Sequence, residues 1–159
     1  MLIRNFVRKY IKKKFNNILP HNNFIAWRNS EGLLHREDGP AYENKADGIK
    51  KWYINGQLHR EDGPAIEYYP QCITGIKEEW YSNGQLHRED GPAITYITNT
   101  KVWYLNGELH RTDGPAVMFS DGTSAWYCNG KLHKENGPAI KHLDGTKEYW
   151  ISGIKYEFN

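Results

Sequence analysis

One eight-residue stretch, Leu-His-Arg-Glu-Asp-Gly-Pro-Ala, recurs along this chain and constrains its fold more than any other feature. It is intact at residues 34–41, 58–65 and 86–93 and slightly altered at 109–116 and 132–139. Each copy follows a tryptophan and a turn, and the tryptophans are Trp27, Trp52, Trp80, Trp103, Trp126 and, in a truncated last copy, Trp150. The steps between them are 25, 28, 23, 23 and 24 residues. A period in this range predicts a repeat array and not one globular core.

Turn signals divide each repeat into β-strands. Asn129-Gly130 and Asp121-Gly122 each separate short stretches of alternating apolar residues. Such pairs indicate hairpins with type I′ turns, in which both central residues have positive φ. The Gly-Pro pair that follows removes a backbone donor and redirects the chain into the next strand. Each repeat is therefore predicted to be one β-hairpin with two tight turns, and the longer spacer at 70–75 is predicted to protrude as a loop.

The alternation also assigns the recurring aromatic residues to faces, because residues two apart on a strand share a side. We expect the tryptophans and the recurring leucines to form the buried side. The recurring tyrosines would then line the other side as an aromatic stripe that a partner could bind. Alternatively, the tyrosines pack against one another across strands. The residues are Leu34, Leu58, Leu86, Leu109 and Leu132, and Tyr53, Tyr81, Tyr104 and Tyr127.

The first 23 residues follow a different pattern from the array at 24–159. Apolar residues recur every three or four positions from Ile3 to Ile18, and Pro20 ends the pattern. This predicts a short basic amphipathic helix. It could cap the first edge of the array, lie on an anionic membrane surface, or act as a basic arm for nucleic acid. The candidate membrane- or anion-binding residues are Arg4, Arg8, Lys9, Lys12, Lys13 and Lys14.

The charge distribution and the cysteines narrow the classes of function. Residues 1–30 carry seven basic and no acidic residues, whereas residues 31–159 carry fourteen basic and nineteen acidic residues. A net negative array is a poor groove for nucleic acid. Cys72 and Cys128 fall at non-equivalent repeat positions, and no apolar run approaches the ~20 residues of a membrane span. We therefore expect a reducing, cytoplasmic location, with peripheral membrane attachment through the head as the alternative.

The recurring histidines and carboxylates suggest metal binding or acid-base catalysis, but their spacing argues against both. Equivalent residues in neighbouring two-stranded repeats lie about 10 Å apart, whereas zinc ligands all lie about 2.0 to 2.3 Å from one ion. Catalysis needs one asymmetric constellation, which near-identical copies do not supply. We expect no metal, no cofactor and no enzymatic activity. Instead, Asp90 should accept hydrogen bonds within its turn and pair with Arg88. The equivalent aspartates and arginines of the other repeats should do the same.

The repeat pattern resembles a known family. A tryptophan or tyrosine, Asn-Gly, Leu-His, a glycine turn, an alternating strand and Asp-Gly, at about 23 residues, is similar to the MORN repeat over roughly residues 27–159. The family's usual His-Gly-x-Gly is replaced by His-Arg-Glu-Asp-Gly-Pro-Ala, so the resemblance is to a divergent class, similar to uncharacterised viral and phage repeats. It implies an all-β array of about five and a half hairpins in one elongated, curved antiparallel sheet. It also implies scaffolding, dimerisation or a membrane-proximal role, and not chemistry.

Three functions fit these observations. The first is a non-enzymatic protein-interaction or scaffold module, with a protein partner and a possible homodimer. The second is a peripheral membrane protein docked through residues 1–19. The third is a nucleotide or nucleic-acid binder that stacks bases on the tyrosines. Besides the tyrosines, the candidate partner-binding residues are Gln57, Gln85, Glu108 and Lys131 after the Asn-Gly turns, with Glu67, Thr95, Met118 and Lys141 as further variable positions.

Overall fold

The computed structural model describes residues 24–69 and 75–157, and within these ranges it is all-β with twenty strands and no helix. Twelve strands form one antiparallel sheet, and eight form separate two-stranded hairpins. The prediction of an all-β chain with a long antiparallel sheet is therefore confirmed. The helix predicted within residues 1–23 lies outside the described residues, as does most of the 70–75 loop.

The twelve-stranded sheet is an antiparallel meander whose strands neighbour one another in chain order. Its members are β1 (Phe24–Ala26), β2 (Tyr42–Asn44), β3 (Ile49–Lys51), β6 (Ile66–Tyr68), β7 (Ile76–Glu79), β10 (Ile94–Tyr96), β11 (Lys101–Val102), β14 (Val117–Met118), β15 (Ser124–Ala125), β18 (Ile140–Lys141), β19 (Lys147–Ile151) and β20 (Ile154–Tyr156). The four separate hairpins pair β4 (Tyr53–Ile54) with β5 (Gln57–Leu58), β8 (Tyr81–Ser82) with β9 (Gln85–Leu86), β12 (Tyr104–Leu105) with β13 (Glu108–Leu109), and β16 (Tyr127–Cys128) with β17 (Lys131–Leu132).

Each full repeat contributes to two hairpins, so the prediction of one hairpin per repeat is wrong. The chain leaves the long sheet at the tryptophan. Trp103, for example, belongs neither to β11 before it nor to β12 after it, but its N–H donates to the carbonyl of Ala116 and its own carbonyl accepts from His110 N–H. These two bonds fix the point where a sheet strand ends and a small hairpin begins. The alternating pattern of the sequence does not mark this break.

The two kinds of turn differ in backbone conformation. In the small hairpins, asparagine and glycine both have positive φ, as at Asn106 (50°) and Gly107 (81°), which confirms the type I′ prediction. At Asp121-Gly122 only the glycine has positive φ (96°). Phe119 N–H donates to Thr123 O, and Gly122 N–H donates to Phe119 O, which closes a three-residue turn. The prediction of a type I′ turn at this second position is wrong, because one left-handed residue is sufficient there.

The last repeat is displaced by one residue from its predicted alignment. Trp150 pairs with Lys155 across the β19–β20 hairpin, as Tyr127 pairs with Leu132 in the preceding hairpin. Its carbonyl accepts from Lys134 N–H, as the Tyr127 carbonyl accepts from Arg111 N–H. Trp150 therefore occupies the tyrosine position, and Tyr149 takes the place of the recurring tryptophan. The alignment of the last copy on its tryptophan is wrong.

The core is shallow and is built from small side chains. The alanine that ends each Gly-Pro-Ala is fully buried, at 0% exposure, in every copy; these are Ala41, Ala65, Ala93, Ala116 and Ala139. Ile94, Val102, Val117 and Ala125 continue the buried set, and no large side chain in the described ranges is completely enclosed. A repeat array with so thin a core depends heavily on contacts between neighbouring repeats.

The assignment of the recurring leucines and the recurring tyrosines to opposite faces is wrong. Tyr104 and Leu109 are direct cross-strand partners, as are Tyr127 and Leu132, and such partners share a face. Both tyrosines and both leucines pack against the core that contains Val102. The first five tryptophans lie between strands, so their placement opposite the tyrosines stays a prediction. The leucine follows the tight turn, and the register of that turn sets its face.

We predict that Gly107→Val destabilises the protein and that Glu108→Val does not. A Cβ at Gly107 would meet only Gln85 side-chain atoms at 3.8 Å, so space is available and the cost comes from the positive φ. A β-branched residue in this conformation should cost about 1 to 3 kcal/mol. Thermal unfolding followed by circular dichroism should show a midpoint several degrees lower for Gly107→Val. Equal midpoints for the two variants would contradict the turn assignment.

Candidate functional site

The recurring arginine stacks on the recurring tryptophan in the first four repeats. The guanidinium carbon lies over the indole ring, 3.8 to 4.2 Å from its centroid. The pairs are Arg36 with Trp27, Arg60 with Trp52, Arg88 with Trp80, and Arg111 with Trp103. A planar guanidinium over an aromatic face gains both cation–π attraction and packing area. The arginine is therefore a structural element of each repeat.

The same arginine also holds the Asp-Gly-Pro turn. Arg88 donates from Nε to Asp90 Oδ1 at 2.8 Å and from Nη1 to the Pro92 carbonyl at 3.4 Å. A Cβ added to Gly91 would lie 2.9 Å from Cζ of Arg88, so a side chain at this position would displace the guanidinium from its contacts. Hydrogen bonds from the arginines lower the pKa of Asp62, Asp90 and Asp113. The predicted pairing of arginine with aspartate is confirmed in these repeats.

The recurring histidine connects each repeat to the next. Its Nδ1 accepts a hydrogen bond from the backbone N–H at the first turn residue of the following hairpin, at 3.1 to 3.2 Å. The pairs are His35 with Asn55, His59 with Asn83, His87 with Asn106, His110 with Asn129, and His133 with Ser152. The histidines that suggested catalysis therefore bind backbone groups of the array. Across residues 24–69 and 75–157, no three histidine, cysteine or acidic side chains converge as metal ligands would.

The four candidate tyrosines are half-buried. Burial raises the pKa of Tyr53, Tyr81 and Tyr104. Tyr81 also donates to Glu79 Oε2 at 2.8 Å, and Tyr68 donates to Oε1 of the same carboxylate at 2.6 Å. Glu79 is only 8% exposed, so these donors satisfy a buried acid. The contacts favour packing as one role of the tyrosines, and their role in binding a partner stays a prediction.

The candidate residues after the Asn-Gly turns form an exposed row along the hairpins. Side-chain atoms of Gln57, Gln85, Glu108 and Lys131 lie 3.8 to 3.9 Å from the Cβ position of the turn glycine in the next hairpin, which is Gly84, Gly107, Gly130 and Gly153 respectively. Leu33 lies against Gly56 in the same way and is 42% exposed. We call Leu33, Gln57, Gln85, Glu108 and Lys131 the variable row.

Leu33 was not among the predicted partner-binding residues. The first repeat has one more residue between Trp27 and His35 than the second has between Trp52 and His59. Asn29 accommodates this insertion, because its Oδ1 accepts from the N–H groups of Glu31 and Leu33. Counting back from the histidine instead of forward from the tryptophan would have found Leu33.

A carboxylate cluster closes the last hairpin. Glu148 binds His142 Nε2 at 2.9 Å and Lys155 Nζ at 3.0 Å, and it accepts from Trp150 Nε1 at 3.2 Å. Hydrogen bonds from His142, Lys155 and Trp150 lower the pKa of Glu148 to about 2. This network joins β19 and β20 to the turn that follows β18 at the C-terminal end of the sheet.

The basic residues assigned to membrane or anion binding, Arg4 to Lys14, lie outside the described residues, so that assignment stays a prediction. A search of the described parts of the chain found no helix long and apolar enough to cross a bilayer.

Comparison with known proteins gave no relative: no family model, no curated protein and no solved structure matches this chain.

We predict that His59→Ala destabilises the array and that His59→Asn largely restores it. Alanine leaves the Asn83 N–H without its acceptor, which should cost about 1 kcal/mol. Asparagine can place Oδ1 near the position of Nδ1 and accept the same bond. Glu61→Ala, beside the same histidine, is the control and should have little effect because Glu61 is exposed. Thermal midpoints of the three variants test this, and equal losses for alanine and asparagine would contradict it.

We predict that Glu148 contributes to the acid sensitivity of the protein. Its folded-state pKa of about 2 lies below its ordinary value of 4.5. The associated stability is present above pH 4.5 and is lost as the pH falls towards about 2, because the unfolded chain takes up the proton first. Glu148→Gln should therefore have a lower thermal midpoint at pH 6 and a shallower decline across this window. A decline as steep as that of the wild type would contradict the network.

Proposed function

We propose that this chain is a non-enzymatic protein-interaction module, a divergent MORN-like array that presents the variable row to a protein partner. One observation carries the proposal: the recurring histidines and arginines are used in contacts within the array, whereas the side chains of the variable row face solvent in register. Among the further variable positions, Thr95 is instead buried and Glu67 pairs with Arg60. About five and a half repeats and an N-terminal capping helix complete the proposed organisation.

The internal use of the recurring residues argues against catalysis. Arg88 is held by Trp80 and Asp90, and His59 by the backbone of the next hairpin. A catalytic group must reach a substrate and act within one asymmetric site. These groups are repeated at regular intervals and are already bonded. They support a framework and not a reaction centre.

The variable row has the properties of a recognition surface. It combines one apolar, two amide, one acidic and one basic side chain in a fixed order, and each lies against a rigid type I′ turn. Repeats that add two sheet strands each should space these residues by about 10 Å. The row is thus suited to an extended segment of a partner that reads several side chains in sequence.

The tyrosines have a supporting role in this proposal. Tyr104 and Tyr127 pack on the core beneath the hairpins, so they fix the position of the strands that carry Glu108 and Lys131. The alternatives of membrane docking and nucleic-acid binding depend on the head at residues 1–23 or on base stacking, and no described contact favours either. A cytoplasmic location and a homodimer remain compatible with the proposal.

The experiment is affinity capture with a variant pair. Gln85→Arg with Glu108→Arg changes the centre of the variable row, whereas Glu61→Arg with Glu89→Arg changes the same number of exposed residues beside the histidines. We expect the first double variant to lose a partner that the wild-type protein captures, and the second double variant to keep it. The thermal midpoints of both double variants should be unchanged. Unchanged capture by the first pair, or loss only after charge reversal at Lys12, Lys13 and Lys14, would refute the proposal.

A further inference from the structure

The fifth repeat departs from the charge pattern of the first four. Lysine replaces the stacked arginine, and Lys134 Nζ lies 3.7 Å from the centroid of the Trp126 ring. A second ammonium group, that of Lys141, lies 5.3 Å from the same centroid. The aspartate of the other repeats is replaced by Asn136. Two cations therefore converge on one indole at a position where the other repeats have one cation and its carboxylate.

These two lysines have no counter-ion in the described parts of the chain. Neither forms an ion pair there, in contrast to Arg60, which pairs with Asp62 and Glu67, and Arg111, which pairs with Asp113. Glu67 occupies the position in the second repeat that Lys141 occupies in the fifth. The fifth repeat thus has a cation at the position where the second has an acid.

A third lysine and an open groove lie beside these two cations. Desolvation and the charge of Lys141 lower the pKa of Lys134. Lys147 lies directly opposite Lys141 across β18 and β19, on the same face of the sheet. An open groove of about 670 Å³ adjoins Lys134 and Trp126, between the Asp-Gly-Pro turn of the fourth repeat and the Asn-Gly-Pro turn of the fifth. Lys134 is accessible to a ligand from this groove, whose lining also includes Glu135 and the ion pair of Arg111 with Asp113.

The two lysine charges without a counter-ion indicate the class of ligand. A carboxylate neutralises one cation, as Asp90 does for Arg88, whereas a phosphate monoester carries about −1.5 to −2 at neutral pH and can neutralise two. Lysine binds phosphate as a point charge and needs no planar, bidentate geometry. The cations are held on the Trp126 face, so part of the cost of ordering their side chains is met before binding.

We propose that Lys134 and Lys141, held over Trp126, form a binding site for a phosphate group carried by a peptide segment of the protein partner. This inference rests on the proposed function for the peptide, but the phosphate site can be tested on the purified protein alone. Unchanged partner capture by the variable-row variants would refute the proposed function but would leave the phosphate result standing.

The first test titrates inorganic phosphate into the full chain and follows the indole N–H signals by nuclear magnetic resonance. We expect a saturable shift of the Trp126 signal and none of the Trp103 signal, because Asp113 already neutralises the cation over Trp103. Asn136→Asp is the informative variant, since it restores the residue of the other repeats and should keep the fold. It should weaken phosphate binding about tenfold, as should Lys141→Glu.

The second test separates the possible sources of the phosphate. A pentapeptide with phosphoserine between pairs of glycines should bind the wild type at least about tenfold more tightly than its unphosphorylated form, and Asn136→Asp should abolish this preference. No saturable shift with inorganic phosphate, or equal shifts at Trp126 and Trp103, would overturn the site. Binding to phosphatidylglycerol vesicles that is lost in Asn136→Asp, without a peptide preference, would overturn its assignment to a protein partner.

Discussion

Hydrogen bonding between neighbouring repeats is the interaction on which this structure depends. The buried apolar residues of the described chain are six alanines, two isoleucines and two valines, so burial of apolar area within any single repeat is limited. Each hairpin is instead joined to the next by three recurring bonds: from a turn glycine to a leucine carbonyl, from the arginine N–H to a tyrosine carbonyl, and from a turn N–H to the histidine. A hairpin removed from its neighbours would lose all three.

The eight-residue motif is one physical unit and not a set of independent preferences. Leucine packs on the core, histidine reaches the next repeat, and arginine covers the indole and binds the aspartate. Glycine leaves room for the guanidinium, and proline supplies a backbone carbonyl that the arginine binds. The alanine side chain is fully buried, and its backbone carbonyl accepts a hydrogen bond from the backbone N–H of the tryptophan. Because each position depends on another, a change at one should alter its neighbours, as the joint change to Lys134 and Asn136 illustrates.

The repeat period and the turn chemistry were sufficient to predict an all-β antiparallel array, because Asn-Gly has a strong conformational preference that does not depend on tertiary context. The same information did not reveal that Trp103 lies between two strands, since a break in pairing leaves the alternation of residue types unchanged. The sequence pattern therefore put the leucines on the wrong face relative to the tyrosines. The exposed residues at Gln85 and Glu108 could be predicted from the turn, whereas the excess charge at Lys134 depends on Lys141, seven residues away, and on how the turn folds back.

The regular connection of each hairpin only to its sequence neighbours has an evolutionary consequence. A duplicated 23-residue unit inserted between the third and fourth repeats would meet, on both sides, the same glycine, histidine and arginine contacts that it makes in its original place. Arrays of this kind can therefore change length by recombination without redesign of a core. Each added unit would extend the exposed row by one position, so a lineage could lengthen the segment it recognises while its framework stays the same.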